Sequence, residues 1–484
     1  MEKITRNSGI LLHVTSLPDN LGLGTFSASC ERFIDFMVSA KFKTWQVLPL
    51  NDCGYAKSPY SAVSVFAFNP YLLDITRYLT QDEVFGLEIN KFNPNAMEEA
   101  NKFDIAHKLI FEKLKDKYDT AEFYKNNVCW LDDYAIYKTL KKKHKDVSWV
   151  DFDVKYKDKN KTAIAEFIKE NKDEIEKHKF IQYLLHTRWQ EIKKYANNRG
   201  VEIFGDMPMY VELDSADVWS NPKNWQLIDG KPKAVAGVPP DYFCKEGQRW
   251  GNPLYDYEYM KTKKYDFWVR RFKKASELYD VIRIDHFIAF ARYWSIPAKS
   301  QTAIKGKWVN GAGEDILSLV SKLKIKVVAE DLGILGEDVI SLRDKFKLPG
   351  LKVVQFAFDG IGDNVYQPHN FEKNCVAYIG THDNDTFMGL LSEGDWDKIN
   401  RFKKYLRMPL EEGNEKVVEN TIISLYRSSA NMIILTAQDI LKLGKEARMN
   451  IPGSIEGNWL WQLKSDLNYD LCNFYSELAT LYAR

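Results

Sequence analysis

Three acidic residues stand where three apolar runs end. The runs 281–287, 326–331 and 376–383 contain Asp285-His286-Phe287, Glu330-Asp331 and His382-Asp383. Each reads as a buried strand that delivers a carboxylate. Side chains alternate along a strand, so Arg283 and Asp285 share one face while Ile282 and Ile284 share the other. Two polar groups aimed into a core must satisfy each other or meet a ligand. A guanidinium beside Asp285 favours the ionised carboxylate, which suits a nucleophile or a stabiliser of positive charge. Glu330, on the next strand, then feels neighbouring negative charge. That raises its pKa and keeps it protonated as an acid. One ionised and one protonated carboxyl make up the pair that cleaves a glycosidic bond. A retaining reaction sets them roughly 5–5.5 Å apart. Two other readings compete. The charges could form an ion-pair network sealing a barrel mouth, or His13, Asp285, His286, His382 and Asp383 could bind a divalent ion. No His-x-His or clustered Cys/His pattern supports the second. No metal and no cofactor are expected.

The elements that must position these groups are short apolar runs rich in β-branched residues. They occupy 9–14, 44–49, 201–206, 281–287, 326–331, 351–358, 376–383 and 432–436, with helical patterns between them. Near-continuous apolar strands indicate parallel pairing, buried on both faces. Eight is the number that closes an α/β (β/α)8 TIM barrel, whose active site lies at the carboxyl ends of its strands. An open doubly wound sheet is the rival, but no Gly-x-Gly-x-x-Gly follows the first strand. Gly22-Leu23-Gly24 reads as a turn.

The predicted organisation is one catalytic barrel over 1–484 with helical subdomain insertions in its βα connections. About 150 residues separate the second and third runs. A mostly helical subdomain over 75–200 fills that gap, with amphipathic helices at 97–118 and 161–198. The run Lys141-Lys142-Lys143-His144-Lys145 reads as a solvated helix end. A second insertion, 210–266, is rich in Pro, Gly and aromatics, and carries Tyr242, Phe243 and Trp250 as a rim over the site. Asp206 ends the third run and could cap a turn or bind a hydroxyl. Ser58-Pro59-Tyr60-Ser61 follows the second run and places Tyr60 at the rim or in the core.

Composition narrows the partners. The formal net charge of +1, with no long basic face, argues against nucleic acid and against an anionic membrane. No stretch is long and apolar enough to span a bilayer, and residues 1–6 lack an apolar leader core. The six scattered cysteines read as reduced thiols in a cytoplasmic protein, a monomer or small homo-oligomer. Aromatics at 14 % supply core and also flat faces on which sugar rings can stack.

Strings of residues along nearly the whole chain resemble the amylomaltases, bacterial 4-α-glucanotransferases of the α-amylase superfamily. They begin with Gly9-Ile10-Leu11-Leu12-His13, Ser58-Pro59-Tyr60-Ser61 and Gly205-Asp206-Met207-Pro208. They continue with Gly237-Val238-Pro239-Pro240-Asp241-Tyr242-Phe243 and Trp250-Gly251-Asn252-Pro253. They close with Arg283-Ile284-Asp285-His286-Phe287, Ala329-Glu330-Asp331-Leu332-Gly333, Thr381-His382-Asp383-Asn384-Asp385-Thr386 and Asn458-Trp459. The resemblance implies Asp285 as nucleophile, Glu330 as acid and then base, and Asp383 as the carboxylate that holds sugar hydroxyls. It implies Arg283 and His382 as partners around the cleaved ring, Tyr60 as a platform beneath it and Asp206 as a hydroxyl ligand. Tyr242, Phe243 and Trp250 fall on the family's aromatic loop over the acceptor side. The implied substrates are α-1,4-glucans and maltooligosaccharides. The chain departs from the usual pattern at Ile288-Ala289-Phe290 and at Phe243-Cys244-Lys245-Glu246-Gly247, which bears on the acceptor and not on the carboxylates. An α-1,4-glucan hydrolase using the same carboxylates, and a non-catalytic glucan-binding barrel, are the alternatives.

Overall fold

The computed structural model describes residues 1–484 except 20, 55–56, 90–95, 241–243, 334, 361 and 455. Eight parallel strands form one sheet: β1 (Asn7–Leu11), β2 (Thr44–Gln46), β3 (Glu202–Met207), β4 (Val281–Ile284), β5 (Lys326–Ala329), β6 (Gly350–Val353), β7 (Cys375–Tyr378) and β8 (Met432–Thr436). Their order is β5-β4-β3-β2-β1-β8-β7-β6, so chain neighbours are sheet neighbours and β1 pairs with β8. The ends meet at a seam between β5 and β6. There Ala329 N–H donates to Pro349 O at 2.9 Å, and Leu351 N–H to Asp331 Oδ1 at 2.7 Å. Asp331, neighbour of Glu330, is thus a strut that helps close the barrel.

Alternation sorts the side chains. Leu11, Phe204, Val281, Val328, Val353, Tyr378 and Ile434 pack together in the barrel's interior cluster. Ile10, Trp45, Ile203, Ile282 and Val327 belong to the larger cluster under the helices. Two residues beyond Phe204 and Val281 come Asp206 and Arg283, and two beyond Val328 comes Glu330. The register that fills the barrel floor therefore also directs the charged groups inward above it. Gly205, between them, faces outward. A Cβ there would lie 2.2 Å from the Tyr279 ring, so the glycine lets that ring close on β3.

All eight expected strands form, but several stop early. β6 ends at Val353 and gives way to a 3-10 turn at Val354–Phe356. β7 ends at Tyr378, and Asn384 Oδ1 accepts from Thr381 N–H to fold the next residues into a turn. The apolar runs looked longer because the barrel mouth stays buried after pairing stops.

The β2–β3 connection carries the helices Ala96–Leu114, Ala121–Lys143, Lys161–Glu170 and Lys172–Asn197. The single helix expected over 161–198 breaks at Asn171, whose side-chain amide donates to Phe167 O and ends the first half. The second half packs on the barrel through buried Trp189, whose indole N–H donates to Leu278 O. The basic run does close a helix, with Lys142, Lys143 and Lys145 exposed and its first two lysines in ion pairs. Lys141 pairs with Asp214 at 2.6 Å, and Lys142 with Asp104 and Glu174.

A second, antiparallel sheet stands beside the barrel mouth. Its strands in order are Lys307–Asn310, Arg292–Pro297, Ala234–Val238 and Gln248–Pro253. Two of them come from the β4–β5 connection, outside the stretch 210–266. They lack the continuous apolar run that marks a barrel strand, since Arg292, Ser295, Lys307 and Asn310 interrupt them. Among the described residues no helix is long and apolar enough to cross a membrane.

Candidate active site

The backbone ladder runs past the strand ends and fixes the carboxylates. Asp285 N–H donates to Met207 O, Glu330 N–H to Ile284 O and Phe287 N–H to Glu330 O, each at 3.1 Å. Between Asp285 and Phe287 the chain turns through His286, which sits in the left-handed region at φ 50°. Such strain in a non-glycine residue is typical of functional turns. Here it aims the His286 N–H at Glu330 Oε2, 2.8 Å away. The turn after Asp285 therefore also positions the second carboxyl.

Arg283 lies beneath the pair. Its Nη1 is 2.5 Å from Asp206 Oδ2 and 3.1 Å from Asp285 Oδ1. One guanidinium thus joins a fully buried carboxylate to one that is 25 % exposed. The burial that raises Asp206 is opposed by this contact, and the two acids in turn hold Arg283 well above its ordinary pKa. Tyr60 Oη donates to the same Asp206 oxygen at 2.8 Å and lies 2.9 Å from His382 Nε2. The Tyr60 and His382 rings stack at 5.3 Å and 13°. Burial lowers the His382 pKa. The same His382 Nε2 also points at Asp383 Oδ2, 3.3 Å away.

Glu330, like Asp285, is half-buried, and its pKa is pushed up to about 8. Burial is the largest cause, the charges of Asp285 and Asp331 add to it, and Arg283 opposes it. The expected direction is correct, but the expected cause was secondary: desolvation outweighs the neighbouring charge. Asp383 is more open, its side chain 45 % exposed, and its Oδ1 accepts from Asn450 Nδ2 at 2.7 Å.

These groups meet in a cleft of about 710 Å³. Arg283, Asp285, Glu330 and Asp383 line it, with Tyr60 beside them, Tyr210 and Trp250 on one wall, and Asn450 and Trp459 on the other. Trp250 stands on the strand Gln248–Pro253, edge-on to His286 at 4.7 Å and 79°. Asp206 and His382 lie one layer below the cleft, where they position other groups. Tyr242 and Phe243 lie outside the described residues. A groove of about 880 Å³ runs alongside, between residues 18–32 and 460–466, and contains none of the strand-end carboxylates. Among the described residues no group of three or more His, Cys, Asp or Glu is arranged to hold a metal ion.

Three contributors were not foreseen. His286 shows in the sequence only as the neighbour of Asp285 and as one member of a competing metal set. Trp459, whose ring lies 5.9 Å from both Tyr60 and His382, was visible in Asn458-Trp459 but given no role. Asn450 had no signal, because it falls in a polar stretch after the last strand.

The family model described as 4-alpha-glucanotransferase matches residues 12–468. The chain is 38% identical to the 4-alpha-glucanotransferase of Clostridium butyricum, over 98% of this chain and 100% of that one. It is 38% identical to that of Thermus thermophilus, over 95% of each. Among solved structures, the amylomaltase from Streptococcus agalactiae in complex with acarbose superposes with a TM-score of 0.88 at 32% identity, covering 99% of both chains. The amylomaltase from Corynebacterium glutamicum, at 16% identity and a TM-score of 0.75 over 99% of this chain and 75% of that one, shares the fold.

Proposed function

Because this chain belongs to the 4-alpha-glucanotransferase family, we propose that it moves α-1,4-glucan segments by a retaining, two-step exchange centred on Asp285 and Glu330. The protein is a 4-α-glucanotransferase. In the first step the Asp285 carboxylate attacks the anomeric carbon of the donor. The C1–O4 bond breaks, and Glu330 gives its proton to the departing O4. The donor segment is left as an ester on Asp285, with inverted configuration. In the second step the 4-hydroxyl of an acceptor glucan or glucose attacks C1. Its proton passes to Glu330, the ester bond breaks, and the α-linkage is restored. Asp383 holds hydroxyls of the reacting ring and stabilises the positive charge that develops on it. Arg283 holds Asp285 in position, Tyr60 supports the ring, and Asp206 and His382 fix Arg283 and Tyr60 from below.

One observation carries this reading: a half-buried Glu330 with a raised pKa shares a cleft with an Asp285 held by Arg283. Environments that differ in this way assign one carboxyl as acid and the other as nucleophile. We assign the acceptor side to the wall with Trp250, together with Tyr242 and Phe243. We keep residues 75–200 and 210–266 as insertions in a single barrel. The cytoplasmic assignment rests on the scattered spacing of the six cysteines, which form no CxxC pair.

Incubating the protein with maltotriose is expected to release glucose and build a ladder of longer maltooligosaccharides. Hydrolysis to glucose and maltose with no ladder would replace transfer by the hydrolase reading.

A further inference from the structure

The third carboxylate is held from a segment that is also a wall of the cleft. Asn450 Nδ2 donates to Asp383 Oδ1 at 2.7 Å. Arg448 straps the two segments together: its Nε donates to Asn450 O at 2.9 Å and its Nη2 to Asp383 O at 3.2 Å. The segment is folded on itself as well. Trp459 N–H donates to Met449 O at 2.8 Å, and Ile451 N–H to Asn458 Oδ1 at 2.9 Å. Pro452, Gly453, Ser454 and Trp459 of this small loop line the cleft. The loop that lines the cleft is thus the loop that holds the Asp383 carboxylate.

We propose that Asn450 is a positioning residue for Asp383, and that Arg448 sets the frame in which its amide meets that carboxylate. The proposal rests on the assignment of Asp383 as the carboxylate that serves the transition state. An Asp383 turned away from its productive rotamer can no longer meet the sugar hydroxyls. The amide on Oδ1 limits that freedom and leaves Oδ2 for His382 and the substrate. A group that orients a carboxylate without contacting the leaving bond should affect the transition state more than the bound substrate.

The test is Asn450→Ala, read in two ways. On maltotriose, kcat is expected to fall about 10- to 100-fold with KM changed less than about threefold, as for losing a hydrogen bond to a charged group. In an Asp383→Ala background, adding Asn450→Ala is expected to change acarbose affinity by less than about twofold, because the partner is already gone. A rise in KM with kcat unchanged would make Asn450 a wall contact only and overturn the proposal. So would a loss of acarbose affinity in the Asp383→Ala background as large as in the native one. Asn450→Asp keeps the shape and removes the donor. It should lose at least as much kcat as the alanine variant, and it gives the reading if that variant does not fold. Failure of the wild-type protein to build a maltotriose ladder would strike the transfer reading separately, since the acarbose measurements need no turnover.

Discussion

Replacing Asp285 with Asn is expected to lower kcat on maltotriose by at least about 10⁴-fold, the scale seen when a nucleophile is removed from a preorganised site. The change is isosteric, so the loop through His286 and its hydrogen bond to Glu330 should persist. Acarbose should still bind, because Arg283, Glu330, Asp383 and the cleft walls remain. Loss of turnover with retained binding separates a missing nucleophile from a damaged fold. Turnover close to wild type would remove Asp285 from its assigned role.

Glu330→Gln should be nearly as severe on maltotriose, with kcat lower by about 10²- to 10⁴-fold, because general acid–base help is lost in both steps. Its signature lies in the leaving group. A donor that leaves as fluoride needs no proton, so formation of the Asp285 ester should recover while its transfer stays slow. The pH profile supplies a second signature. The competent form of Glu330 in the first step is protonated, and its pKa is raised to about 8. Transfer by the wild-type protein should therefore hold through neutrality and fall as pH rises past that value. Glutamine cannot titrate, so this basic limb should vanish in the variant. Stability follows the same proton. The folded state binds it more tightly than the unfolded chain, so its contribution is present at low pH and is lost as pH rises from about 4.5 towards 8. The Gln variant should lack that slope in thermal unfolding. A catalytic acid buried this way costs the fold stability at working pH, as functional groups often do.

The barrel and its carboxylates were legible in the sequence for one physical reason. Parallel strands buried on both faces must be continuously apolar, so a charged residue at the end of such a run stands out. Asp285, Glu330 and Asp383 were found in this way. Alternation alone placed Arg283 beside Asp285, and the 3.1 Å contact agrees. What lay off the strands was harder to read. The antiparallel sheet that presents Trp250 is built from half-buried strands whose pattern is broken by polar residues, and half of it comes from beyond residue 266. The family resemblance implies Asp206 as a hydroxyl ligand. Its side chain is fully buried, one layer too deep, where it holds Arg283 and Tyr60. The cause of the Glu330 shift was also misplaced, since sequence shows which charges are near but not how much water burial removes. Asn450 acts through one amide in a loop, and no periodicity announces that.

The central claim is that Asp285 carries the glucan between donor and acceptor. Mixing the Glu330→Gln protein with α-maltosyl fluoride should let the first step proceed and leave the second slow, so an adduct should accumulate. Intact mass followed by peptide mapping is predicted to find one maltosyl group, on the peptide that contains Asp285. Fluoride release with no adduct, or an adduct on another residue, would contradict the account.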